Sequence, residues 1–424
     1  MKILFKNARI LTMVDDKIID GHLVVTDNKI SYIGSILPTG LFDQVIDCEG
    51  NLIMPGFKNA HAHSAMTFLR SKADDSNLHD WLFNEIFPRE ANLKEGHVKE
   101  LSKVAILEYL TSGITSCLDQ YFFPQEFADT CREFGYRSVS LAMYDPESRK
   151  EEEIHRLIKD NNYSTSLATF VLGLHSEYTP TEEMFVTTKK LLDETKLPFY
   201  VHLSETKAET DECIKRRKMT PMEFFVSRGM FDNGGAIFHG VYLSSHDMEL
   251  IKKYDVTVVS NPSSNMKLAS GIADIKGMLD RGIRVALGTD SAASNNALDM
   301  FSEMYLVTGL QKLRNMDPVS IPAFEVLKMA TVNGALAMGL KDSDVLAVGK
   351  NADLIMIDLS RPSMQPINNL INNLVYSGSK DCVKLTMVNG KILYRDGQFF
   401  VNEDVKEIYK KVQLLTDELS VIKK

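Results

Sequence analysis

The sequence of 424 residues predicts an α/β protein, in which a (β/α)8 TIM-like barrel is joined to a small β-sandwich domain formed by both termini. Two observations favour this fold class. The middle of the chain alternates short strand-like runs with helix-like segments, and both ends are rich in strand-like runs separated by turn residues. The predicted boundaries are 1–55 with 346–402 for the β-sandwich, 56–345 for the barrel and 403–424 for a C-terminal helix.

The two ends of the chain have strand-like composition. An Asp-Asn pair at 27–28 separates two of the early segments, and a Val-Asn-Gly sequence at 388–390 is typical of a hairpin turn. Apolar residues at helical spacing between Val405 and Leu419 predict the final helix. The strand-like segments are KILFKNARI, HLVVTDNKISYIG, QVIDCEGNLIM, ADLIMIDL and VKLTMVNGKILYRDG.

The middle of the chain contains eight strand-like runs with helix-like segments between most of them. Eight such units over about 290 residues match the size and pattern of a barrel. A doubly wound open sheet is the alternative, but no GxGxxG turn follows the first strand. The runs are LIMPGF before His61, ITSCLD (114–119), SVSLAMY (138–144), ATFVLGLH (168–175), FYVHLSE (199–205), AIFHG (236–240), VTVVSNP (256–262) and RVALGTD (284–290).

Polar side chains stand at the ends of most of these runs. Barrel active sites lie at the C-terminal ends of the strands, so these side chains are expected to meet there. Five of the ten histidines fall at such ends, a concentration that scattered surface residues would not show. The residues are His61, His63, Asp119, His175, His202, Glu205, His239, Asn261 and Asp290.

The His61-Ala62-His63 sequence is the sharpest local feature. Residues i and i+2 of an extended chain point to the same side, so the two imidazoles can converge on one ion. An isolated HxH is more often a pair of surface histidines, but His202 adds a third nitrogen and Asp290 adds an oxygen. Three histidines and one aspartate suit one Zn²⁺ per subunit, with a position left for water, and Fe²⁺ or Mn²⁺ are alternatives.

Two further residues are candidates for proton transfer. Glu205 follows His202 by three residues, and a strand-end glutamate beside such a site is a natural proton shuttle, although alone it would be interpreted as a solvated turn residue. His239 ends an apolar run, where a hydrogen-bonded core histidine is the alternative interpretation.

Composition narrows the class of protein. The chain has 48 Lys and Arg against 57 Asp and Glu, a formal charge of −9, which argues against a dedicated nucleic-acid binder. Five cysteines without a CxxC pair make a disulfide framework or a cysteine zinc site improbable and fit a reducing cytoplasm. No signal-peptide core and no apolar run near ~20 residues is present, so we predict a cytoplasmic protein without a membrane partner.

The segments PGFKNAHAH, HLSE, FHG and LGTDSAASNN, in this order, resemble the amidohydrolase superfamily. The resemblance covers essentially the whole chain and implies a barrel flanked by a small β domain from both termini. Strand four ends in His175 without a nearby lysine, which implies one metal ion rather than the two held with a carbamylated lysine. The implied metal ligands are His61, His63, His202 and Asp290.

The resemblance also implies catalytic roles. Asp290 would take a proton from the attacking water, Glu205 would protonate a ring nitrogen of the substrate, and His239 would orient or polarise the water.

A finer match is to the 5-methylthioadenosine/S-adenosylhomocysteine deaminase group, and it rests on DWLFNEIFPRE (80–90), GLHSEY (173–178), NPSSNMKLASGIA (261–273) and GTDSAASNNALDMF (288–301). It implies that Glu90 binds the ribose hydroxyls, that His175 lies near the ribose and 5′ substituent, and that Arg149 meets a substrate carboxylate.

Three of the candidate substrate contacts have a structural alternative. Glu90 and Arg149 could be ordinary charges at helix starts. Ser294 could contact adenine or ribose, or could instead cap a helix. Some members have a further arginine at the end of strand three, where this chain has Ala142-Met143-Tyr144, and this leaves smaller adenosine derivatives in consideration.

We therefore predict a zinc-dependent aminohydrolase that converts the adenine of 5-methylthioadenosine, S-adenosylhomocysteine or related adenosine derivatives to hypoxanthine and releases ammonia. Its partners would be a small nucleoside substrate and further copies of itself, with no nucleic acid and no membrane. One alternative is another deaminase or a chlorohydrolase on the same scaffold, for guanine, 8-oxoguanine, cytosine, pterin or triazine substrates. A non-enzymatic barrel would be expected to have lost metal ligands, and all four are present.

Overall fold

The structure is a computed structural model that describes residues 1–72, 74–75 and 80–420. Its strands are β1 (Lys2–Leu11), β2 (Ile18–Thr26), β3 (Lys29–Gly34), β4 (Gln44–Asp47), β5 (Leu52–Pro55), β6 (Phe57–Ala62), β7 (Ile114–Asp119), β8 (Arg137–Ala142), β9 (Ala168–Gly173), β10 (Phe199–Leu203), β11 (Gly235–His239), β12 (Val256–Ser260), β13 (Val285–Leu287), β14 (Leu354–Ile357), β15 (Val383–Val388), β16 (Lys391–Arg395) and β17 (Gln398–Phe399).

Helices lie between most of the strands and after the last. A 3-10 turn (Ser64–Leu69) and a π-helix (Trp81–Ile86) follow β6. The α-helices are α1 (Phe87–Glu90), α2 (His97–Thr111), α3 (Pro124–Phe134), α4 (Glu151–Asn161), α5 (Glu182–Thr195), α6 (Lys207–Arg217), α7 (Pro221–Ser227), α8 (Ser245–Lys253), α9 (Pro262–Lys267), α10 (Ile275–Asp280), α11 (Met300–Asn315), α12 (Ala323–Ala330), α13 (Val332–Ala337), α14 (Leu370–Tyr376) and α15 (Val405–Leu419).

The barrel is the eight-stranded sheet β6 to β13, in which neighbouring strands pair in parallel and in sequence order. It nearly closes, because Ala62 bridges to Asp290 and the Asp290 N–H donates to the His61 carbonyl at 3.0 Å. Parallel strands connected by helices bring all C-terminal strand ends to one end of the barrel. The predicted α/β class, with a barrel and a β domain from both termini, is confirmed.

The terminal segments form a nine-stranded sheet of order β17-β16-β15-β14-β5-β1-β2-β3, with β4 beside β1. The C-terminal β14 pairs antiparallel with β5, so the C-terminal strands form one half of the sheet and the N-terminal strands form the other half. This sheet has an apolar cluster of its own, to which Phe5, Ile10, Leu23, Leu354 and Leu385 contribute, all fully buried. Burial of these side chains holds the two ends of the chain together.

One expected strand is divided differently. The predicted run LIMPGF splits at Pro55-Gly56, because Leu52–Pro55 pairs in the terminal sheet and the barrel strand begins at Phe57. A Cβ at Gly56 would lie 2.1 Å from the Thr115 side chain, so only glycine permits this close approach of the two strands.

The C-terminal helix begins after its N-cap Asp404, whose side chain accepts two backbone N–H groups, and it ends at Leu419. Residues 421–424 of the predicted helix lie outside the described residues. Within the part of the chain that the structure describes, no helix combines the length and apolar character needed to cross a bilayer.

A buried ion pair ties the terminal sheet to the barrel. Arg137 at the start of β8 places its Nε 2.6 Å from the Asp353 carboxylate, which directly precedes β14. The side chains are 7% and 0% exposed, and the backbone N–H of Asn389 also donates to this carboxylate.

We expect Arg137→Met to destabilise the fold strongly, because it leaves a buried carboxylate without its cation, at a cost of about 3–5 kcal/mol. Thermal and denaturant unfolding measure the effect. The double variant Arg137→Met/Asp353→Leu should recover part of the loss, since both charges are then removed together. Equal stability of Arg137→Met and wild type would contradict this account.

Candidate active site

The predicted strand-end residues converge at one end of the barrel. His61 lies in β6, and His202 and His239 lie in β10 and β11. Their ring nitrogens lie within 4.8 Å of one another. Asp290 follows β13, and its Oδ1 is 3.5 Å from His61 Nε2 and 3.2 Å from His63 Nε2. One carboxylate and four imidazoles therefore share a single centre.

Three of these imidazoles are oriented by hydrogen bonds at Nδ1. The bond lengths are 2.5 Å at His63, 2.8 Å at His202 and 2.8 Å at His239. Occupation of Nδ1 leaves Nε2 of each ring for the centre, which is how metal-binding histidines are commonly held. The acceptors are, in the same order, the backbone carbonyls of Gln120 and His175 and the side-chain Oδ1 of Asn265.

The fourth imidazole, His61, has no such partner. It is fully buried and stacks on Phe238 at a centroid distance of 3.9 Å, and neither ring nitrogen makes a hydrogen bond. Burial lowers the pKa of His61 to about 3, so the ring is neutral with a lone pair available. Buried polar atoms without partners are rare, and a metal ion at the centre would give the Nε2 lone pair of His61 a partner. The donor set therefore fits a divalent metal ion.

Asp290 is held by two hydroxyl groups. Its Oδ2 accepts hydrogen bonds from Ser264 Oγ at 2.6 Å and from Ser294 Oγ at 3.0 Å. Burial alone would raise the pKa of Asp290, but contact with His61 and His63 outweighs it and holds the pKa well below its usual range. The carboxylate is thus charged and fixed, as a metal ligand or proton acceptor must be.

Ser294, which the sequence suggests as a substrate contact, turns its hydroxyl toward Asp290 and is not among the cavity-lining residues. Ser264 lies in the segment NPSSNMKLASGIA, but its contact with Asp290 is not among the sequence predictions. Its contact with Asp290 joins two loops, and the sequence carries no signal for it.

Glu205 lies next to the centre, with its Oε2 3.8 Å from His239 Nε2. Burial raises the pKa of its carboxyl group, so it can hold a proton at a higher pH than an exposed glutamate. The backbone N–H groups of Ser204 and Glu205 donate to the two oxygens of Glu209, at 2.9 and 2.7 Å. Glu209 was not predicted, and it fixes the peptide that carries Glu205.

A cavity opens over this centre. Glu90 is buried in its wall and accepts a hydrogen bond from the Tyr121 hydroxyl at 2.6 Å, a partner that the sequence did not indicate. Burial raises the pKa of Glu90. His175 also lines the cavity. The apolar part of the wall comes from Met66, Trp81, Leu82, Ile86, Phe87, Phe122, Met143 and Leu268.

Arg149 is the one predicted charged contact that is not brought to the cavity wall. Its Nη1 donates to the Met143 carbonyl at 3.1 Å, and its Nε lies 3.8 Å from Glu153. Among the described residues, no lysine or arginine lines the cavity. The role of Arg149 toward a substrate carboxylate stays a prediction.

Comparisons with known proteins agree with this geometry. Residues 52–393 match the sequence model of the amidohydrolase family. The chain is 40% identical to a 5-methylthioadenosine/S-adenosylhomocysteine deaminase of Thermococcus sibiricus, over 93% of this chain and 94% of that protein. It is 36% identical to a 5′-deoxyadenosine deaminase of Methanosphaera stadtmanae, over 94% and 95%.

A solved structure is similar over nearly its whole length. It is the crystal structure of an adenosine deaminase from Xanthomonas campestris with bound zinc, with a TM-score of 0.91, 26% identity and 98% of both chains covered. Since the family model spans most of the sequence and the relatives exceed one third identity across nearly all of it, the chain belongs to the amidohydrolase family.

Proposed function

We propose that this protein is a zinc-dependent hydrolytic deaminase that converts the adenine ring of 5′-modified adenosine derivatives to hypoxanthine and releases ammonia. The observation that carries the proposal is the cluster of His61, His63, His202 and Asp290 with the buried carboxyl group of Glu205 beside it. The names of the relatives from T. sibiricus and M. stadtmanae support the nucleoside class.

The four clustered side chains would hold the metal ion. Three imidazole nitrogens and one carboxylate oxygen suit Zn²⁺, with Fe²⁺ or Mn²⁺ as the alternatives. Bound there, Zn²⁺ would act as a Lewis acid and lower the pKa of the attacking water toward ~7. The structure of the X. campestris protein contains zinc, which supports this choice of metal.

The residues of this chain would carry the protons of the reaction. Water adds to C6 of adenine while the ring nitrogen next to it gains a proton, and the protonated amino group then leaves as ammonia. Glu205, whose pKa burial raises, would deliver the proton to the ring nitrogen. Asp290 would accept the proton of the attacking water and pass it to the departing amino group. The C6 hydroxyl loses its remaining proton as the carbonyl forms, and this proton would return to Glu205. His239, with its Nδ1 held by Asn265, would orient the water through Nε2.

Substrate orientation would fall to two side chains of the cavity wall. The Tyr121 hydroxyl fixes one oxygen of Glu90, and the carboxylate can still accept hydrogen bonds from the vicinal hydroxyls of a ribose. His175 lines the same cavity and would lie near the ribose and the 5′ substituent.

The test is an ultraviolet assay of adenine-to-hypoxanthine conversion with zinc-loaded protein. We expect 5-methylthioadenosine and 5′-deoxyadenosine to be converted, and free adenine to be poor because Glu90 then has no hydroxyl partner. S-adenosylhomocysteine tests the predicted role of Arg149. Since no lysine or arginine among the described residues lines the cavity, we expect its kcat/KM to be about tenfold lower, whereas an equal kcat/KM would support Arg149 as the partner of its carboxylate. A metal-replete protein that converts no adenosine derivative would overturn the proposal.

We also propose a cytoplasmic location and an assembly of identical subunits. All five cysteines are buried and unpaired, which supports a reducing compartment. Light scattering of the purified protein would measure the number of subunits, and a monomer at micromolar concentration would contradict the assembly.

A further inference from the structure

A buried glutamate outside the cavity contacts both loops that hold the catalytic centre. Glu303 lies in the first turn of α11 and is fully buried. Its Oε2 accepts the backbone N–H of Ser263 at 3.0 Å, and its Oε1 accepts the Asn295 side-chain amide at 2.7 Å. Ser263 lies in the first turn of α9, in the loop region after β12, and Asn295 lies in the loop after β13, so one carboxylate joins both regions.

The first of these bonds fixes the start of α9. The residue after the bonded N–H is Ser264, whose hydroxyl donates to Asp290 Oδ2 at 2.6 Å. The next residue is Asn265, whose Oδ1 accepts the hydrogen bond of His239 Nδ1 at 2.8 Å. A shift of this short helix would therefore disturb a proposed metal ligand and a proposed water-orienting residue together.

The second bond fixes the loop that carries Asp290. The Asn295 side chain donates to Glu303 and also to the Thr289 carbonyl at 2.8 Å, directly before Asp290. Asp290 has φ of +57°, a left-handed conformation that is unfavourable for residues other than glycine. Such a conformation persists only when the surroundings enforce it, and this network supplies that restraint.

Burial makes an ionised carboxylate unfavourable at the position of Glu303. Within the described part of the chain, no lysine, arginine or histidine lies within ion-pair distance of Glu303. Burial raises the pKa of Glu303 to about 8. An apolar side chain would avoid the desolvation penalty of this carboxyl group, so its two bonds to the catalytic loops are the feature that accounts for it.

We propose that Glu303 is a positioning residue for deamination, which aligns Asp290 and His239 by joining the loops after β12 and β13. This inference rests on the proposed function, because the roles of Asp290 and His239 that the alignment serves are those proposed for deamination. The effect passes through Ser264, Asn265 and Thr289 rather than through contact with substrate.

Glu303→Gln tests the proposal. The amide keeps the shape but turns an NH₂ group toward one of the two donors, so one bond is lost. We expect kcat to fall about 10- to 100-fold with KM within about twofold, and metal affinity to fall about 10-fold. The visible absorption spectrum of Co²⁺-substituted protein should also change, since Asp290 would be displaced at the metal.

A second variant covers the case in which Glu303→Gln folds poorly. Asn295→Ala removes the link to the β13 loop but leaves the bond between Glu303 and Ser263. We therefore expect kcat and metal affinity to fall, but by less than in Glu303→Gln. In the double variant the loss of kcat, expressed as a free energy, should be smaller than the sum of the two single losses, because both substitutions break the same link between Glu303 and the β13 loop.

Asp247→Asn is the matched control. Asp247 is also buried, and it accepts a backbone N–H from Ser244 at 2.8 Å and a hydroxyl from Thr220 at 2.5 Å. None of these three residues lines the cavity. It should lower the melting temperature and leave kcat and the Co²⁺ spectrum unchanged. The same behaviour in Glu303→Gln would overturn the positioning role. Failure of the proposed function has a different signature, because wild-type protein would then bind metal yet deaminate no nucleoside.

Discussion

His202→Ala is expected to abolish nucleoside turnover and metal binding together. His202 is buried between the other imidazoles, and its Nδ1 is committed to the His175 carbonyl, so Nε2 is fixed at the centre. Removal of one of four donors leaves an incomplete site, and kcat/KM should fall by at least about 10³-fold because activation of water is lost. Metal content by mass spectrometry and the ultraviolet assay give the two readouts.

His246→Ala is the control for this loss. His246 lies on α8 with 59% of its side chain exposed, away from the cavity-lining residues. This variant should keep one metal ion per chain and wild-type turnover. If His202→Ala retained a full metal ion and its activity, the assignment of the cluster as the metal site would be wrong.

The convergence of these side chains could be predicted because it follows from strand geometry. His61 and His63 are two residues apart in an extended segment, so their side chains point to the same side. His202, His239 and Asp290 each lie at or just beyond the C-terminal end of a parallel strand. Any closed parallel barrel brings such ends together, so the order of strands in the sequence was sufficient.

The network that orients the centre could not be predicted, because it depends on pairs far apart in sequence. Glu90 meets Tyr121 across 31 positions, and Ser264 meets Asp290 across 26. Such contacts follow from the packing of loops, and the residue types alone do not indicate them. The resemblance implies that Arg149 meets a substrate carboxylate. In the structure its guanidinium group donates to the Met143 carbonyl, and its role toward substrate stays a prediction.

The split of the first predicted barrel run has a local cause. Leu52–Pro55 is apolar and only Gly56 separates it from Phe57, so LIMPGF is predicted as one strand. The close approach at Gly56 and the pairing of β5 with β14 place the first half in the other sheet. The partner strand lies about 300 residues away, and no local pattern identifies it.

Glu205→Gln is expected to separate proton transfer from metal binding. The amide is close in shape to the carboxyl group, so the backbone bonds of residues 204 and 205 to Glu209 should persist. A glutamine cannot deliver a proton to the ring nitrogen, and loss of a general acid lowers kcat by about 10²- to 10⁴-fold. Steady-state kinetics with 5-methylthioadenosine, together with metal analysis, measure both properties.

The comparison with the ligand variant decides the role of Glu205. Glu205→Gln should retain one metal ion per chain, whereas His202→Ala should not, because the Glu205 carboxylate lies beside His239 rather than among the proposed ligands. Glu212→Gln is the matched control and should behave as wild type, because Glu212 lies on α6, just after Glu205 in the chain, and is 56% exposed. Loss of the metal ion in Glu205→Gln would instead make this glutamate a ligand, and unchanged kcat would leave the proton donor to be sought in another group of the cavity wall.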